Sequence, residues 1–251
     1  MLKKLMESAL LQIPVTLITY TFYGLILGVS LFPAAILITK TLKNYGPAIM
    51  KGSTDFSFGS LFVLCLIIGI SLFLFFISGL ILMGIIIRLL SLGIKPGSYE
   101  VATFTVFRWL IFSGIYTMAV TLILPVIPMT FFSMLFFKMI GCKIGKNSKI
   151  NTYMLNDPYL LEIGDNVIVG GQTDISCHIF ENNKLILQPI KIGDNTMIGA
   201  HCYIAPGVTI GENCVIGLNS YIRQGKTIQD DSKLTSVGAV SFSTAGRLEK
   251  E

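Results

Sequence analysis

The stretch from Ile192 to Leu234 decides the fold: IGDNTM IGAHCY IAPGVT IGENCV IGLNSY IRQGKT IQDDSK L. An aliphatic residue returns at every sixth position, and a small residue usually follows it. Neither the two-residue period of a strand nor the 3.6-residue period of a helix fits this spacing. It predicts a solenoid of short strands and turns with three hexads in each coil. Residues eighteen positions apart should then stack along the solenoid axis at about 4.8 Å.

The six-residue step also runs upstream of this stretch, but its phase slips twice. Its upstream aliphatic positions are Ile144, Ile150, Ile163, Val169 and Ile175. The first slip contains Asn156-Asp157-Pro158, and the second contains Cys177-His178-Ile179-Phe180-Glu181. A segment that leaves a regular solenoid is more often functional than structural filler. The second slip is therefore the predicted site.

Three charge-free runs precede the repeat in this chain of 251 residues, at 8–39, 56–87 and 109–137. Since about 20 apolar residues span a bilayer, each run is long enough to cross. The first run is also too long for the apolar core of a secretory signal. Prolines interrupt the first and third runs, so three or four crossings are possible: residues 101–124 could span, and residues 129–140 could lie along the interface or re-enter. The sequence predicts a transmembrane helical domain at 1–140 and a solenoid domain at 141–251.

Positive charge flanks the apolar runs, and the formal net charge is +5 at pH 7. The densest cluster, Lys138, Lys143, Lys146 and Lys149, lies where the two predicted domains meet. By the positive-inside rule this junction is cytoplasmic, which places the solenoid in the cytoplasm beneath the inner membrane; a solvated linker without topological meaning is the alternative. Such flanks suit anionic lipid headgroups and give no support for nucleic-acid binding. The five cysteines show no C-x-x-C pair, so we expect no metal site and no disulfide framework.

His178 is the candidate general base because it begins the segment that breaks the repeat. A neutral imidazole can remove a proton from a hydroxyl or amine near neutral pH, and a nearby carboxylate would hold its tautomer. Glu181, three residues later, is the predicted orienting partner, and Asp174 is a predicted acceptor contact. His201, the other histidine, occupies a turn position in a regular hexad. Cys177 could be a nucleophile, but neighbouring residues in a strand point to opposite sides, which disfavours its pairing with His178.

Arg108 lies beside Trp109 within an otherwise apolar stretch. Ionisable residues at membrane depth are costly and tend to face a cavity or a partner, which predicts that Arg108 binds the acceptor. The alternative is an arginine that extends to the interface, with the tryptophan in the aromatic belt.

The hexads at 192–195, 198–200 and 205–211 give residues 141–240 a resemblance to the left-handed β-helix, or hexapeptide-repeat, acyltransferases. This resemblance implies an α + β chain, with transmembrane helices followed by a left-handed parallel β-helix. It also implies a homotrimer with acyl-CoA, here acetyl-CoA, in the groove between two subunits, and a general base on a loop that leaves the solenoid, which falls on His178. The cofactor contacts that it implies are Ala200, Ala205, Asn219, Arg223 and Lys226.

The apolar runs joined to Gly141-Cys142-Lys143-Ile144-Gly145, with His178-x-Phe180-Glu181, also resemble the membrane-embedded acyltransferase segments of poly-lysine synthetases. The resemblances together imply an O-acetyltransferase that moves an acetyl group to a membrane-associated or lipid-linked acceptor, such as a surface-glycan precursor. Two alternatives stay open. One is an amide-forming acyltransferase with an amino-acid or carrier-bound substrate, and the other is a non-catalytic trimeric membrane scaffold.

Overall fold

The structure, a computed structural model, describes residues 2–50, 58–234, 241–242 and 248–249. Its helices are α1 (Leu2–Met50), α2 (Phe58–Ser91), α3 (Phe104–Leu122) and α4 (Phe131–Met139), with a short 3-10 helix, Leu124–Val126, between the last two. By length and composition, three helical segments could cross a membrane: Gln12–Lys43, Leu61–Ser91 and Phe104–Val126. The described chain thus begins with apolar helices, as predicted.

The strands within these residues are mostly short. They are β1 (Gly97–Glu100), β2 (Lys143–Ile144), β3 (Lys149–Ile150), β4 (Leu155–Asn156), β5 (Leu161–Ile163), β6 (Ile168–Val169), β7 (Asp174–Ser176), β8 (His178–Glu181), β9 (Lys184–Leu187), β10 (Ile190–Ile192), β11 (Met197–Ile198), β12 (Tyr203–Ile204), β13 (Thr209–Ile210), β14 (Val215–Ile216), β15 (Tyr221–Ile222), β16 (Thr227–Ile228), β17 (Lys233–Leu234), β18 (Ser241–Phe242) and β19 (Leu248–Glu249).

Three parallel sheets form a solenoid from β2–β7 and β10–β17. In the regular part each strand pairs with the strand three positions later in the chain, so that Ile192 lies opposite Ile210 and Ile210 opposite Ile228. This register confirms the predicted coil of eighteen residues. The aliphatic residues of the repeat, such as Ile204 and Ile216, are buried in the interior. Each coil therefore covers the apolar face of the next, which is what holds a solenoid together.

Asparagines at one corner of the solenoid adopt left-handed backbone conformations, with φ of 56° at Asn166 and 57° at Asn195. Asn tolerates this conformation better than most residues. Asn166 Nδ2 donates to Asn195 Oδ1 at 3.1 Å, so successive coils are also joined at the corner. Beside it, a Cβ on Gly193 would lie 2.6 Å from the Gly211 carbonyl carbon. Only glycine allows the coils to approach this closely.

The two phase slips have different structures. At the first, Asp157 has a φ of 56° and precedes a 3-10 turn, Pro158–Leu160. The second slip was predicted to be a loop, but it is an antiparallel hairpin of β8 and β9. Strand β1, from the connection between α2 and α3, pairs with β9 and completes a three-stranded sheet. The helical region therefore contacts the hairpin directly.

The helices end at Met139 and the solenoid strands begin at Lys143, on either side of the predicted domain boundary. The predicted C-terminal limit at residue 251 lies outside the described residues. Between the two parts, α3 packs against the first coil. Tyr116 Oη donates to the Leu155 carbonyl oxygen at 2.7 Å, and the Phe112 and Tyr159 rings meet edge to face at 5.3 Å.

Candidate active site

The two interruptions of the repeat meet at a carboxylate and an imidazole. His178 Nδ1 lies 2.5 Å from Asp157 Oδ2. The Asp157 side chain is 1% exposed and that of His178 is 25% exposed. The left-handed backbone at Asp157 and the start of β8 at His178 bring together residues that are far apart in sequence. The pair therefore lies at the surface of the solenoid, with its acid buried and its base accessible.

Trp109, from α3, completes this cluster. Its indole Nε1 donates to Asp157 Oδ1 at 2.6 Å, and its ring meets the His178 ring edge to face at 4.8 Å. Trp109 is buried, so neither the indole nor the carboxylate depends on solvent for its hydrogen bond. Both oxygens of a buried carboxylate thus have a donor, which offsets much of the cost of removing it from water.

The geometry selects one tautomer of His178. An ionised carboxylate only accepts hydrogen bonds, so Nδ1 carries the proton that faces Asp157. In the neutral ring Nε2 is then the acceptor, and this assignment follows from the hydrogen-bond network. The cluster is thus arranged for His178 to take a proton at Nε2 while Asp157 stabilises the resulting charge.

The structure does not bring Glu181, the predicted orienting residue, to His178, because Asp157 occupies Nδ1. Glu181 is exposed and lies opposite Lys184 near the turn of the hairpin. The prediction relied on closeness in sequence, but residues three apart in a strand point to opposite faces. The signal that could have identified Asp157 was the first phase slip, which contains it.

Asp174 lies in β7, close enough to His178 for their charges to interact. Asn156 Nδ2 donates to Asp174 Oδ1 at 2.9 Å. Burial raises the pKa of Asp174, while the Asn156 hydrogen bond and His178 oppose the rise. On the neighbouring coils the opposite residues are Tyr203 and then Tyr221, whose rings stack at 5.3 Å. The predicted acceptor contact therefore lies on an outer sheet face near the imidazole.

Arg108 points away from this pair and towards the end of α2. Its Nη2 donates to the Leu92 carbonyl oxygen at 2.6 Å. Its Nε and the Tyr159 hydroxyl are buried without a hydrogen-bond partner in the described part of the chain. Burial, followed by the charge of Asp157, raises the pKa of Tyr159. Arg108 is thus next to Trp109 in sequence, but its own hydrogen bond is to the helical region.

Four of the five predicted cofactor residues reach the surface of the solenoid, and one is buried. Ala200 and Asn219 form one corner of the solenoid, where Asn219 N donates to Ala200 O at 2.9 Å. Arg223 and Lys226 are exposed on the same coil as Asn219, after strand β15. Ala205, by contrast, is buried at 3% exposure, so its side chain is not on the surface with the other four.

The two other candidate residues lack the environment that catalysis requires. His201 is exposed at a corner with a φ of 56°. Cys177 is fully buried, and burial, followed by the charge of Asp157, raises the pKa of its thiol well above the usual range. A thiol that stays protonated is a poor nucleophile. His178 is therefore the base that the geometry favours.

Residues 189–224 match the family described as bacterial transferase hexapeptide (six repeats). The matched residues contain the regular strands β10 to β15. Over 74 residues the chain is 38% identical to the galactoside O-acetyltransferase of Escherichia coli (strain K12), a match that covers 26% of this chain and 36% of that protein. Over 78 residues it is 28% identical to the delta-poly-L-ornithine synthetase of Acinetobacter baumannii (strain AB307-0294), covering 31% of this chain and 6% of that protein.

Among solved structures, the chain is similar to a hexapeptide-repeat acetyltransferase from Vibrio cholerae O1 biovar eltor in complex with acetyl coenzyme A. The identity is 26% and the TM-score is 0.35, with 44% of this chain and 60% of that chain covered. The matches to the curated relatives span 36% of one and 6% of the other.

Proposed function

We propose that the protein is a membrane-integral acyltransferase that moves an acetyl group from acetyl-CoA to a hydroxyl of a membrane-associated or lipid-linked acceptor, such as a glycan precursor. The observation that carries this proposal is the buried Asp157, which holds His178 at Nδ1 and leaves Nε2 without a hydrogen-bond partner in the described part of the chain. The hexapeptide repeats and the O-acetyltransferase relative support the acetyl donor.

In the proposed reaction His178 Nε2 removes the proton from the acceptor hydroxyl as its oxygen attacks the thioester carbonyl carbon. Asp157 stabilises the imidazolium that forms, and backbone N–H groups of the solenoid stabilise the oxyanion. When the tetrahedral intermediate collapses, the carbon–sulfur bond breaks. The departing CoA sulfur then takes the proton from Nε2, which restores neutral His178 and releases the acetyl ester.

We place the donor along the corner that contains Ala200 and Asn219, with Arg223 and Lys226 as contacts for the CoA phosphates. Following the resemblance to the hexapeptide-repeat acyltransferases, we propose that the site is completed in a homotrimer of left-handed β-helices, with donor and base on neighbouring subunits. An outward apolar ladder of Ile168, Met197 and Val215, 39–47% exposed, supports this assembly, since such ladders mark contact surfaces. Light scattering of the purified protein should give three chains per particle, and a monomer with full activity would contradict it.

We place the β-helix on the cytoplasmic side of the inner membrane, in contact with membrane lipids. The lysine-rich junction from Lys138 to Lys149 supports this orientation. Arg108 and Asp174 are the proposed acceptor contacts. Arg108 lies at the C-terminal end of α2, and Asp174 lies on the sheet face near His178. An acceptor anchored in the bilayer explains why the site contains a residue of an apolar helix, Trp109.

The test is acetyl transfer by the full-length protein in proteoliposomes, with acetyl-labelled CoA and a lipid extract from the native membrane as acceptor source. We expect label in the lipid or glycolipid fraction, and a loss of about 10²- to 10⁴-fold in the His178→Ala variant. No transfer by the parent protein, or equal transfer by the variant, would contradict the proposal.

The match to a poly-L-ornithine synthetase favours one second candidate, an amide-forming acyltransferase. Alkaline hydroxylamine distinguishes the two, because it releases an acetyl group from an oxygen ester and leaves an amide intact. Label that resists hydroxylamine would therefore favour an amine acceptor. The complete absence of turnover in a correctly assembled trimer would favour the non-catalytic scaffold.

A further inference from the structure

The segment formed by helices α3 and α4 begins and ends beside the β-helix. Both of its ends lie near the C-terminal end of α2. At the start of this segment, Arg108 Nη2 bonds to the carbonyl oxygen of Leu92, just after the last residue of α2. At its end, Gly141 packs against the Arg88 guanidinium. Both ends of the α3–α4 segment therefore lie on the side of the membrane where the β-helix lies.

Between its two ends, the segment contacts the middle of α2. Ile123 Cδ1 lies 3.6 Å from where a Cβ on Gly79 would be, and the Phe132 and Phe73 rings are 6.2 Å apart. Measured from Arg88 along α2 at 1.5 Å per residue, Gly79 is about 13 Å and Phe73 about 22 Å away. Half of the hydrocarbon core is about 15 Å. If the core begins at Arg88, the turn between α3 and α4 lies near its midplane.

Neither helix behaves as an independent crossing. Helix α4 has 9 residues, and a spanning helix needs about 20, so α4 cannot bring the chain back from the far side. Helix α3 is long enough, but Tyr116 in its middle bonds to Leu155 O of the first coil. Half of its most apolar window is buried inside the protein, compared with 17% in α1 and 6% in α2. Its surroundings are thus largely protein, whereas those of α1 and α2 are not.

The turn between α3 and α4 suits a lipid environment. Its exposed side chains are apolar: Leu122, Val126, Met129 and Phe131 are 51–74% exposed. The sequence contains no charge from residue 109 to residue 137. Its backbone N–H groups are bonded at Ile123, Val126, Ile127 and Thr130. Pro125 and Pro128 have no N–H to satisfy. A turn with few free donors can enter hydrocarbon at low cost.

We propose that α1 and α2 are the crossings in the described part of the chain, and that α3 and α4 form a re-entrant hairpin that enters from the β-helix side. This replaces the three or four crossings that the sequence predicts, and it rests on the proposed membrane integration. Trp109 then lies at the level of Leu92, about 6 Å beyond Arg88. The His178 ring, in contact with Trp109, is therefore at headgroup level, where it can reach the head of an anchored acceptor.

The experiment uses single cysteines in the full-length protein, in which the exposed Cys65 is replaced by serine. Val126→Cys reports the accessibility of the turn between α3 and α4. Asn182→Cys reports the accessibility of the β-helix side, and Lys43→Cys that of the far end of the α1 segment. Right-side-out and inside-out membrane vesicles are treated with a membrane-impermeant maleimide, before and after detergent. The Cys65→Ser parent, whose four other cysteines are buried, gives the background.

We expect Asn182→Cys and Lys43→Cys to label from opposite sides, and Val126→Cys to label only after detergent. A bimane on Val126→Cys should be quenched more by a nitroxide deep in the acyl chain than by one at the headgroup. Labelling of Val126→Cys without detergent, from the same side as Lys43→Cys, would overturn the proposal in favour of an α3 that crosses the membrane. Labelling of Val126→Cys without detergent, from the same side as Asn182→Cys, would overturn the proposal in favour of a segment that lies outside the bilayer. If Lys43→Cys and Asn182→Cys label from one side, the two-crossing arrangement is overturned, because three crossings would place them together. Release of the protein from the vesicles by alkaline carbonate would show that membrane integration itself fails, independently of activity.

Discussion

Two acid–base pairs in the first two coils of the solenoid have the same nitrogen–oxygen distance but opposite environments. Lys143 Nζ lies 2.5 Å from Glu162 Oε1 on a regular sheet face, with side-chain exposures of 75% and 38%. His178 Nδ1 lies 2.5 Å from Asp157 Oδ2 where the repeat breaks, with exposures of 25% and 1%. Each pair has a further donor: the buried Trp109 donates to Asp157 at 2.6 Å, whereas Lys191, 60% exposed, lies 3.7 Å from Glu162 Oε2. The comparison shows that regular positions provide packing and solubility, whereas interruptions of the repeat can bury a charge.

The largest expected effect comes from the base itself. His178→Ala should lower turnover by about 10²- to 10⁴-fold without dissociating the assembly, because the aliphatic ladders are unchanged. The matched control is His201→Asn, which keeps a residue suited to the left-handed corner and should stay within about twofold of the parent. CoA release by purified protein checks both. A loss in the His201 variant alone would place the chemistry in the regular coils.

The orienting acid should rank next. Asp157→Asn places an amide opposite Nδ1, which favours the wrong tautomer, and turnover should fall by about 10²-fold or more. Glu181→Gln, on the exposed end of the hairpin, is the control and should change turnover by less than about twofold. Equal losses in both variants would restore Glu181 as the orienting residue. The same assay, with the acetyl-CoA KM measured alongside, separates orientation from donor binding.

The third prediction concerns stability in the regular coils. Ile210 is 1% exposed in the middle of an aliphatic ladder, and Ile210→Ala should cost about 2–5 kcal/mol of unfolding free energy. The apparent Tm in detergent should therefore fall by several degrees, while the remaining folded protein keeps the parent kcat. A Tm equal to that of the parent would mean that the ladder contributes little to the solenoid.

Trp109→Phe should have a smaller effect than either member of the Asp157–His178 pair. The variant keeps most of the ring contact with His178 but loses the hydrogen bond to the carboxylate, which corresponds to about a tenfold loss in kcat. The acetyl-CoA KM should not change. A turnover equal to that of the parent would show that Asp157 needs no second donor.

The smallest effect is expected at the exposed pair. The Lys143 ammonium holds the pKa of Glu162 below its usual range, chiefly through their hydrogen bond. This contribution to stability is present above the pKa of the unfolded glutamate and is lost as the pH falls through the lower folded value. Because the pair is solvated, Lys143→Ala should lower the apparent Tm by less than about 2 °C near neutral pH, and high salt should remove the difference. A larger fall in the apparent Tm would mean that the exposed Lys143–Glu162 pair contributes more to stability than its solvent exposure indicates.

The sequence alone determined the solenoid, its eighteen-residue coil and the apolar helices, and it singled out His178 as the candidate base. These features are local or periodic: a six-residue repeat specifies which side chains face inward, and a long apolar run needs no tertiary contact to be recognised. The regular stretch predicted from Ile192 to Leu234 corresponds to strands β10 to β17, which run from Ile190 to Leu234.

Only the tertiary structure decided which carboxylate holds His178 and what lies beside it. Asp157, His178 and Trp109 come from a turn, a hairpin and an apolar helix, and their contacts span 21 to 69 positions of the chain. No periodicity links them, because each is brought into place by the packing of α3 on the first coil and by the pairing of β1 with β9. The sequence therefore proposed His178 as the base, whereas the fold placed Asp157 beside it and connected both residues to the apolar helix α3.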